Sequence, residues 1–335
     1  MEQQNFLQWL SDSKDEWWND SAATSEIEAA IANGAVGATT NPILASRVTG
    51  QGLFDPTAEA VNECGGKAEA RVQKAVLDAC KLFEPVYMSS GGAEGFVCAQ
   101  VNPGKAHDRY EMLKTARTYH AWSPQIAVKL PVSAAGLDVL EECAAEGIPT
   151  TMTVSFCVPQ MVAAAERHLK GCKRAEDAGV TPPPSWAVIM IGRLDDYLRD
   201  LIADNNAGIS EEDLRWAGVA ATKNAYSLFQ KMGARSKIMV AALRGPHHVA
   251  PILGGGIVFS IAPNAQEQLL AAEVPRKTTI DEPVDPEVLK KLLAFEPFRV
   301  SYEATGMKPE EFFAYGPFQR TATQFYYTGW LSLDA

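Results

Sequence analysis

Apolar positions along this chain fall into short runs, each followed by a longer stretch in which they recur every three to four residues. The short runs are rich in β-branched and aromatic residues and predict buried strands, and the longer stretches predict amphipathic helices. Residues 3–16 set Phe6, Leu7 and Leu10 on one side of a leading helix. Residues 17–21 predict a first strand ending on Asp20, and 24–31 a helix with Ser or Thr at its cap and acid in its first turn. A second strand covers 35–42, where Pro42 ends pairing or opens the next helix at its first position. Residues 57–83 read as one long helix, and the glycines of 91–95 break the helical pattern before a third strand at 96–101 that carries Gln100. A helix over 106–121 precedes the fourth strand, 126–132, which holds Lys129. Helix 137–145 is capped by Gly147. The fifth strand is 148–156, and a helix follows over 160–169. The sixth strand, 186–193, ends in Arg193, and a helical region spans 211–232. The seventh, 237–244, ends in Arg244; the eighth is 257–263, with helices from there to about 295.

Strands alternating with helices imply a parallel sheet, and eight of them predict closure into an α/β barrel, the (β/α)8 or TIM barrel. An open doubly wound sheet is the competing architecture, but its glycine-rich phosphate fingerprint is absent after the first strand. No low-complexity linker divides the 335 residues. The expectation is one domain over 1–335, with the barrel at about 17–295 and a C-terminal tail at 296–335. Phe312, Phe318, Phe325 and Trp330 make that tail too aromatic for a disordered end. It is predicted to pack across the barrel as an extra helix or a lid.

Composition narrows the function. A formal charge of −11 argues against a nucleic-acid surface, which needs a basic face. It leaves room for a small anionic substrate held by a few arginines. No run of 18 apolar residues predicts a membrane span, and the polar, tryptophan-bearing first 25 residues do not resemble a signal peptide. The six cysteines lack metal-ligand spacing and read as reduced packing residues of a cytoplasmic protein, with no metal and no cofactor expected. Association into a homo-oligomer stays open.

Lys129 is the residue on which a chemical reading turns. A lysine inside a buried strand is either a snorkelling stem with a solvated tip or an amine placed to form a Schiff base with a carbonyl substrate. In a barrel the C-terminal strand ends share one mouth. Collected there are Asp20, Thr39, Thr40, Asn41, Gln100, Lys129, Thr151, Thr153, Ser155, Arg193 and Arg244. An amine to form the imine, a carboxylate and hydroxyls to move protons, amides for a polyol and arginines for an anionic end make a coherent set. Each taken alone has a plainer role: Asn41 before Pro42 as a turn former, Asp20 before Ser21 as a helix cap, an arginine at a strand end as half of a rim ion pair.

These residues resemble the transaldolase family. Gly37-Ala-Thr-Thr-Asn-Pro42 is similar to its early Thr-Thr-Asn-Pro signature. Val128-Lys-Leu-Pro-Val132, then Gly136 and Glu146-Gly-Ile148, resemble its lysine strand with the next helix and strand. Gly192-Arg193 with Asp195, and Ala241-Ala-Leu-Arg244, resemble its arginine segments on strands six and seven. The likeness runs from about Asp20 to Pro263. It implies a cofactor-independent transferase that binds a ketose as a Schiff base on Lys129, cleaves C3–C4 and passes the dihydroxyacetone unit to an aldose. By the same resemblance Asp20 transfers protons, Thr153 positions water, Asn41 holds donor hydroxyls, and Arg193 and Arg244 take the phosphate. Gln100 falls at the catalytic position of a glutamate, while Thr40, Thr151, Ser155 and Met190 fall among the substrate contacts.

Four positions depart from the family pattern. Gln100 replaces the glutamate of the common transaldolases and resembles the fructose-6-phosphate aldolase branch. Met190 stands where the transferases carry phenylalanine and the aldolases tyrosine, which favours transfer over release. Val188 and Ala242 stand near usual serines, and His247 and His248 are candidate replacements for the lost contacts, or simply a surface helix start. Two further functions compete with transfer: a Schiff-base aldolase releasing free dihydroxyacetone, and a sugar-phosphate-binding barrel without turnover.

Overall fold

In a parallel barrel both faces of every strand are covered, one by the helices and one by the barrel interior, so strand sequences are apolar throughout. The computed structural model, which describes residues 4–335, shows that arrangement; Gln3, where the expected leading helix begins, lies outside the described residues. Eight parallel strands close in sequence order: β1 (Glu16–Asp20), β2 (Gly37–Thr39), β3 (Phe96–Gln100), β4 (Ile126–Pro131), β5 (Thr150–Thr153), β6 (Ser185–Met190), β7 (Lys237–Ala241) and β8 (Val258–Ile261). The chain is a (β/α)8 TIM barrel. Closure is made by β1 against β8, Trp18 lying opposite Ser260, and below it Asp15 accepts the backbone N–H groups of Gly254 and Ile257.

Side chains alternate in and out along each strand, so the interior fills in layers. Trp18, Phe96 and Trp186 make the deepest aromatic one, with ring centroids 4.7 Å apart for Trp18–Trp186 and 5.1 Å for Phe96–Trp186. Gly37 of β2 faces this layer, and a Cβ there would lie 2.7 Å from the Trp18 ring and 2.8 Å from Phe96 O. Gly37→Ala is therefore expected to cost about 1–3 kcal/mol by overpacking, a fall of roughly 3 °C or more in Tm. An unchanged thermal melt would mean that the indole moves aside freely.

Several expected boundaries shift. The leading helix is shorter, Phe6–Asp12, with Phe6, Leu7 and Leu10 buried as the pattern required. Helix Thr24–Ala32 is capped by Ala23 rather than by Ser or Thr; Ser21 instead accepts the Ala23 N–H and bonds Glu26. The stretch expected as one helix over 57–83 is two, Ala58–Cys64 and Lys67–Ser89, split where Gly65 adopts φ +88°. Helix Val158–Asp177 is longer than expected, and the 211–232 region divides into Glu211–Leu214 and Ala217–Met232. Strands six and seven stop short of their arginines. Helix Ile191–Asn205 begins immediately after β6, placing Arg193 in its first turn, and the chain leaves β7 through Ala242 at φ +59°.

The tail folds back as helices Glu296–Tyr302 and Gly316–Gln324, a wide π-helical turn at Phe325–Trp330 and a last turn at Leu331–Asp334. Phe312, Phe318, Phe325, Trp330 and Leu333 are buried. Gly329 packs on the start of helix Pro42–Thr49, where a Cβ would sit 2.5 Å from Ile43 N. Arg71, fully buried on helix Lys67–Ser89, donates to Phe54 O (2.9 Å), Leu333 O (2.8 Å) and Ala335 O (2.7 Å). These bonds fix the tail over the β2–β3 side of the mouth. No helix among the described residues is long and apolar enough to cross a membrane.

Candidate active site

The inward-facing residues at the C-terminal strand ends surround a cavity of about 220 Å3. Of the expected set, Asp20, Thr39, Asn41, Lys129, Thr153, Met190, Arg193 and Arg244 line it. Lys129 is 7% exposed, and its Nζ donates to Thr40 O at 2.8 Å. Among the described residues it has no carboxylate partner. Gln100 stands beside it, its Cα in register with that of Lys129 across β3–β4. Asp20 accepts a hydrogen bond from Thr39 Oγ1 (2.8 Å), and Thr39 Oγ1 lies 2.6 Å from Ser260 Oγ. The bond to the carboxylate uses the Thr39 proton, so Ser260 donates to Thr39. Asn41 does two jobs. Its Oδ1 caps helix Pro42–Thr49 by accepting from Ile43 N (3.0 Å) and Leu44 N (3.1 Å), which leaves its NH2 for the cavity. Pro42 opens that helix at its first position.

Thr153 ends β5 at a strained turn. Val154, a β-branched residue, is held at φ +53°, a conformation such residues adopt only when the surroundings impose it. The imposing group is Gln160, fully buried, whose NH2 donates to Val132 O and Val154 O and whose oxygen accepts the Phe156 N–H at 2.9 Å. Thr153 Oγ1 is buried on the cavity wall and Gln100 Oε1 is buried next to Lys129, both without a partner among the described residues. Buried polar atoms left in this state need water or ligand to satisfy them.

Four expected residues do not line the cavity. The Thr40 hydroxyl turns away to Cys98 O (2.7 Å), although its carbonyl accepts the hydrogen bond from Lys129 Nζ. Thr151 lies one layer down and accepts from Cys98 Sγ (3.3 Å). Ser155 donates to Val188 O (2.5 Å), tying the end of β5 to β6. Gln100 is adjacent to Lys129 but off the wall. Conversely, Ser260, Asn264 and Phe325 line the cavity without having been singled out. The wall opposite the polar groups is apolar: Val188, Met190, Met239 and Ala241.

The arginines differ in their partners. Arg193 donates to Gln324 Oε1 (2.8 Å) and lies 5.4 Å from the Phe325 ring centroid, so tail residues hold it. Among the described residues it forms no ion pair. Burial, and then the neighbouring Arg244, pull it below the usual guanidinium range. Arg244 pairs with Asp196 Oδ2 through Nη2 (2.8 Å) and Nε (3.2 Å). Burial alone would raise Asp196, but the Arg244 and Arg199 guanidiniums outweigh it and leave that carboxyl below the usual range. His248 is not on the surface. It is fully buried, 2.8 Å from Asp195 through Nε2. His247 faces a separate depression with Arg215 and Trp216, and burial, then His248, pull it down to about 4. Neither histidine touches the mouth.

All six cysteines are buried and unpaired; burial pushes Cys80, Cys143 and Cys157 up to about 12. Among the described residues no three His, Cys, Asp or Glu side chains converge.

The family profile described as transaldolase/fructose-6-phosphate aldolase matches residues 17–308, extending the likeness through all eight strands into the tail. This chain belongs to that family. Among its relatives, a transaldolase of Mycobacterium ulcerans (strain Agy99) is 26% identical over 208 residues, 59% of this chain and 55% of the relative. A transaldolase of Parafrankia sp. (strain EAN1pec) is 27% identical over 216 residues, 61% and 58% of the two chains. Transaldolase 1 of Streptomyces avermitilis is 26% identical over 227 residues, 65% and 60%. The aligned stretches thus span little more than half the length of each relative.

Proposed function

We propose that the chain is a cofactor-independent transaldolase that carries a dihydroxyacetone unit as a Schiff base on Lys129. The observation that carries this is the placement of Lys129: an amine at the cavity wall, bonded only to a backbone carbonyl, with a carboxylate, hydroxyls and an amide around the same space. Nζ attacks the ketose C2 carbonyl, and loss of water gives the imine. Asp20 takes the proton from the C4 hydroxyl as the C3–C4 bond breaks. The aldose leaves, and the bonding electrons pass into the enamine. Addition of the enamine to an acceptor aldehyde, with the proton returned from Asp20, reverses the sequence; water positioned by Thr153 then hydrolyses the imine. Asn41 suits the donor hydroxyls, and Arg193 with Arg244 an anionic terminus such as phosphate.

Transfer is favoured over release by the apolar wall. Val188, Met190, Met239 and Ala241 bring no hydroxyl to that side of the enamine, which therefore persists for the acceptor. The test is borohydride reduction with fructose 6-phosphate and peptide mapping, followed by turnover with and without an aldose acceptor. The expected outcome is a stable adduct on Lys129 and turnover that requires the acceptor. Donor cleavage without acceptor would make the protein an aldolase. The absence of an adduct across ketoses and their anionic forms would leave a binding barrel.

A further inference from the structure

The first two turns of helix Ile191–Asn205 engage Arg244 in three ways, directly or through one side chain, besides carrying Arg193. Gly192 lies beneath it: a Cβ there would meet Ala242 O at 2.3 Å and Arg244 Cγ at 2.7 Å. Asp196 holds the guanidinium. Asp195 reaches the backbone of the same residue through His248. His248 Nδ1 accepts the Arg244 N–H at 3.1 Å, and Nε2 lies 2.8 Å from Asp195 Oδ2. A backbone N–H can only donate, so Nδ1 is unprotonated and Nε2 carries the proton toward the carboxylate. The other carboxylate oxygen, Oδ1, accepts the Gly218 N–H at 2.8 Å. His248 is 0% exposed and Asp195 2%, and neither lines the cavity. Between β7 and His248 the backbone is unusual twice, with Ala242 at φ +59° and Gly245 at φ +152°. Such a loop keeps one shape only when its surroundings over-determine it.

We propose that Asp195 and His248 form a positioning dyad that fixes Arg244 relative to Arg193 and thereby sets the preference for donors with an anionic terminus. This rests on the proposed assignment of the two arginines to that terminus. A buried carboxylate–imidazole pair is costly where an apolar pair would pack as well, and here the two atoms not used between the partners are committed to backbone N–H groups, Asp195 Oδ1 to Gly218 and His248 Nδ1 to Arg244. The dyad makes the two guanidiniums one unit: the helix that carries Arg193 also determines where Arg244 can be.

Asp195→Asn separates this role from simple packing. Its oxygen still serves Gly218, so its NH2 faces His248 Nε2, and the imidazole proton is driven to Nδ1 against the Arg244 N–H. His248→Gln reaches Asp195 but leaves the Arg244 N–H without an acceptor, whereas His248→Asn keeps that acceptor. Borohydride trapping on Lys129 is measured against fructose 6-phosphate and against fructose concentration, with a thermal melt of each variant. For Asp195→Asn and His248→Gln the half-saturating fructose 6-phosphate concentration is expected to rise about tenfold, the effect of roughly one lost hydrogen bond. The limiting trapping rate stays within about twofold, fructose saturation does not move, and the double variant is no worse than either single one, as for residues acting through one contact. His248→Asn retains the preference. Parallel changes for the two sugars, or no change, overturn the dyad. Arg244→Ala separates the two levels. If it leaves the preference intact, the assignment of the anionic end is wrong and the dyad falls with it. If it removes the preference while Asp195→Asn keeps it, the dyad alone is overturned.

Discussion

Lys129→Met is expected to lower turnover by on the order of 10⁴-fold or more, as loss of a covalent nucleophile does in enzymes whose residues act as a unit. Methionine nearly matches the lysine stem in length and shape, so the β4 environment of Val128 and Leu130 and the neighbouring strands are kept. Only the amine and its bond to Thr40 O disappear. The folded protein should remain, with a near-wild-type melt, and borohydride trapping should be lost with turnover. Lys223 is the internal control. Burial pulls it down to about 8, which on its own would nominate it as a reactive amine. Its Nζ, however, donates to Thr279 O (2.7 Å), Ile280 O (3.0 Å) and Glu282 O (2.7 Å). Three carbonyl acceptors take all three ammonium protons and favour the charged, non-nucleophilic form. The geometry outranks the burial effect here, and no adduct is expected on Lys223. A Lys129→Met protein that kept more than a hundredth of wild-type turnover, or trapped sugar elsewhere, would refute the Schiff-base assignment.

The barrel was readable from the chain because a strand covered on both faces has to be apolar throughout, and eight such runs leave few other architectures. Site residues were readable to the extent that a strand's last inward position is fixed by its period of two. Asp20, Thr39 and Thr153 follow from that rule, and Lys129 lies on the same inward series of β4, two residues before its end at Pro131. Where the polar residue lies one position off the inward series, a layer deeper or past the strand end, the rule misleads: Thr40 faces Cys98 O, Thr151 is buried under the mouth, and Ser155, beyond the Val154 turn that ends β5, faces Val188 O. Ser260 obeys the same period and was available, a single hydroxyl inside the apolar run of β8. Arg193 and Arg244 were found for a reason only half right. They reach the mouth from a helix turn and a loop, because β6 and β7 end before them. Phe325 was readable only as one aromatic of a packed tail, and Gln324 carries no local signal. Their place over Arg193 comes from the fold-back of the tail, a long-range packing that Arg71 secures.

Three departures from the family pattern, Val188, Met190 and Ala242, lie together on the cavity wall at β6 and just past β7, while Gln100 is on β3, beside Lys129 and off that wall. Met190 and Val188 put thioether and methyl groups on that stretch of wall, and the carboxamide of Gln100 cannot exchange a proton. The opposite side keeps its proton-handling groups in a connected line, Ser260 to Thr39 to Asp20. Among the carboxylates of the described residues, Asp20 alone lines the cavity, so in the proposed mechanism the acid–base work falls on one group, and its removal should be felt in full.

Asp20→Asn tests that concentration with little change of shape. The asparagine Oδ1 can still accept from Thr39 Oγ1, so the Ser260–Thr39 line and the β1–β2 register, with Asp20 opposite Thr39, are expected to persist. What is lost is the capacity to take the C4 hydroxyl proton and return it. Turnover is expected to fall by about 10²- to 10⁴-fold, the range in which a positioned general acid–base contributes, with little change in KM because the sugar hydroxyls still meet an amide of the same size. Trapping separates the steps: Lys129 still forms a reducible adduct with fructose 6-phosphate, while donor cleavage slows. A variant that cleaves donor at more than a tenth of the wild-type rate would move the proton-transfer role to another group, and Thr153 with its unpartnered buried hydroxyl would be the first to examine. A variant that cleaves slowly and also fails to form the adduct would place Asp20 in imine formation as well, as the single carboxylate serving every proton transfer in the cycle.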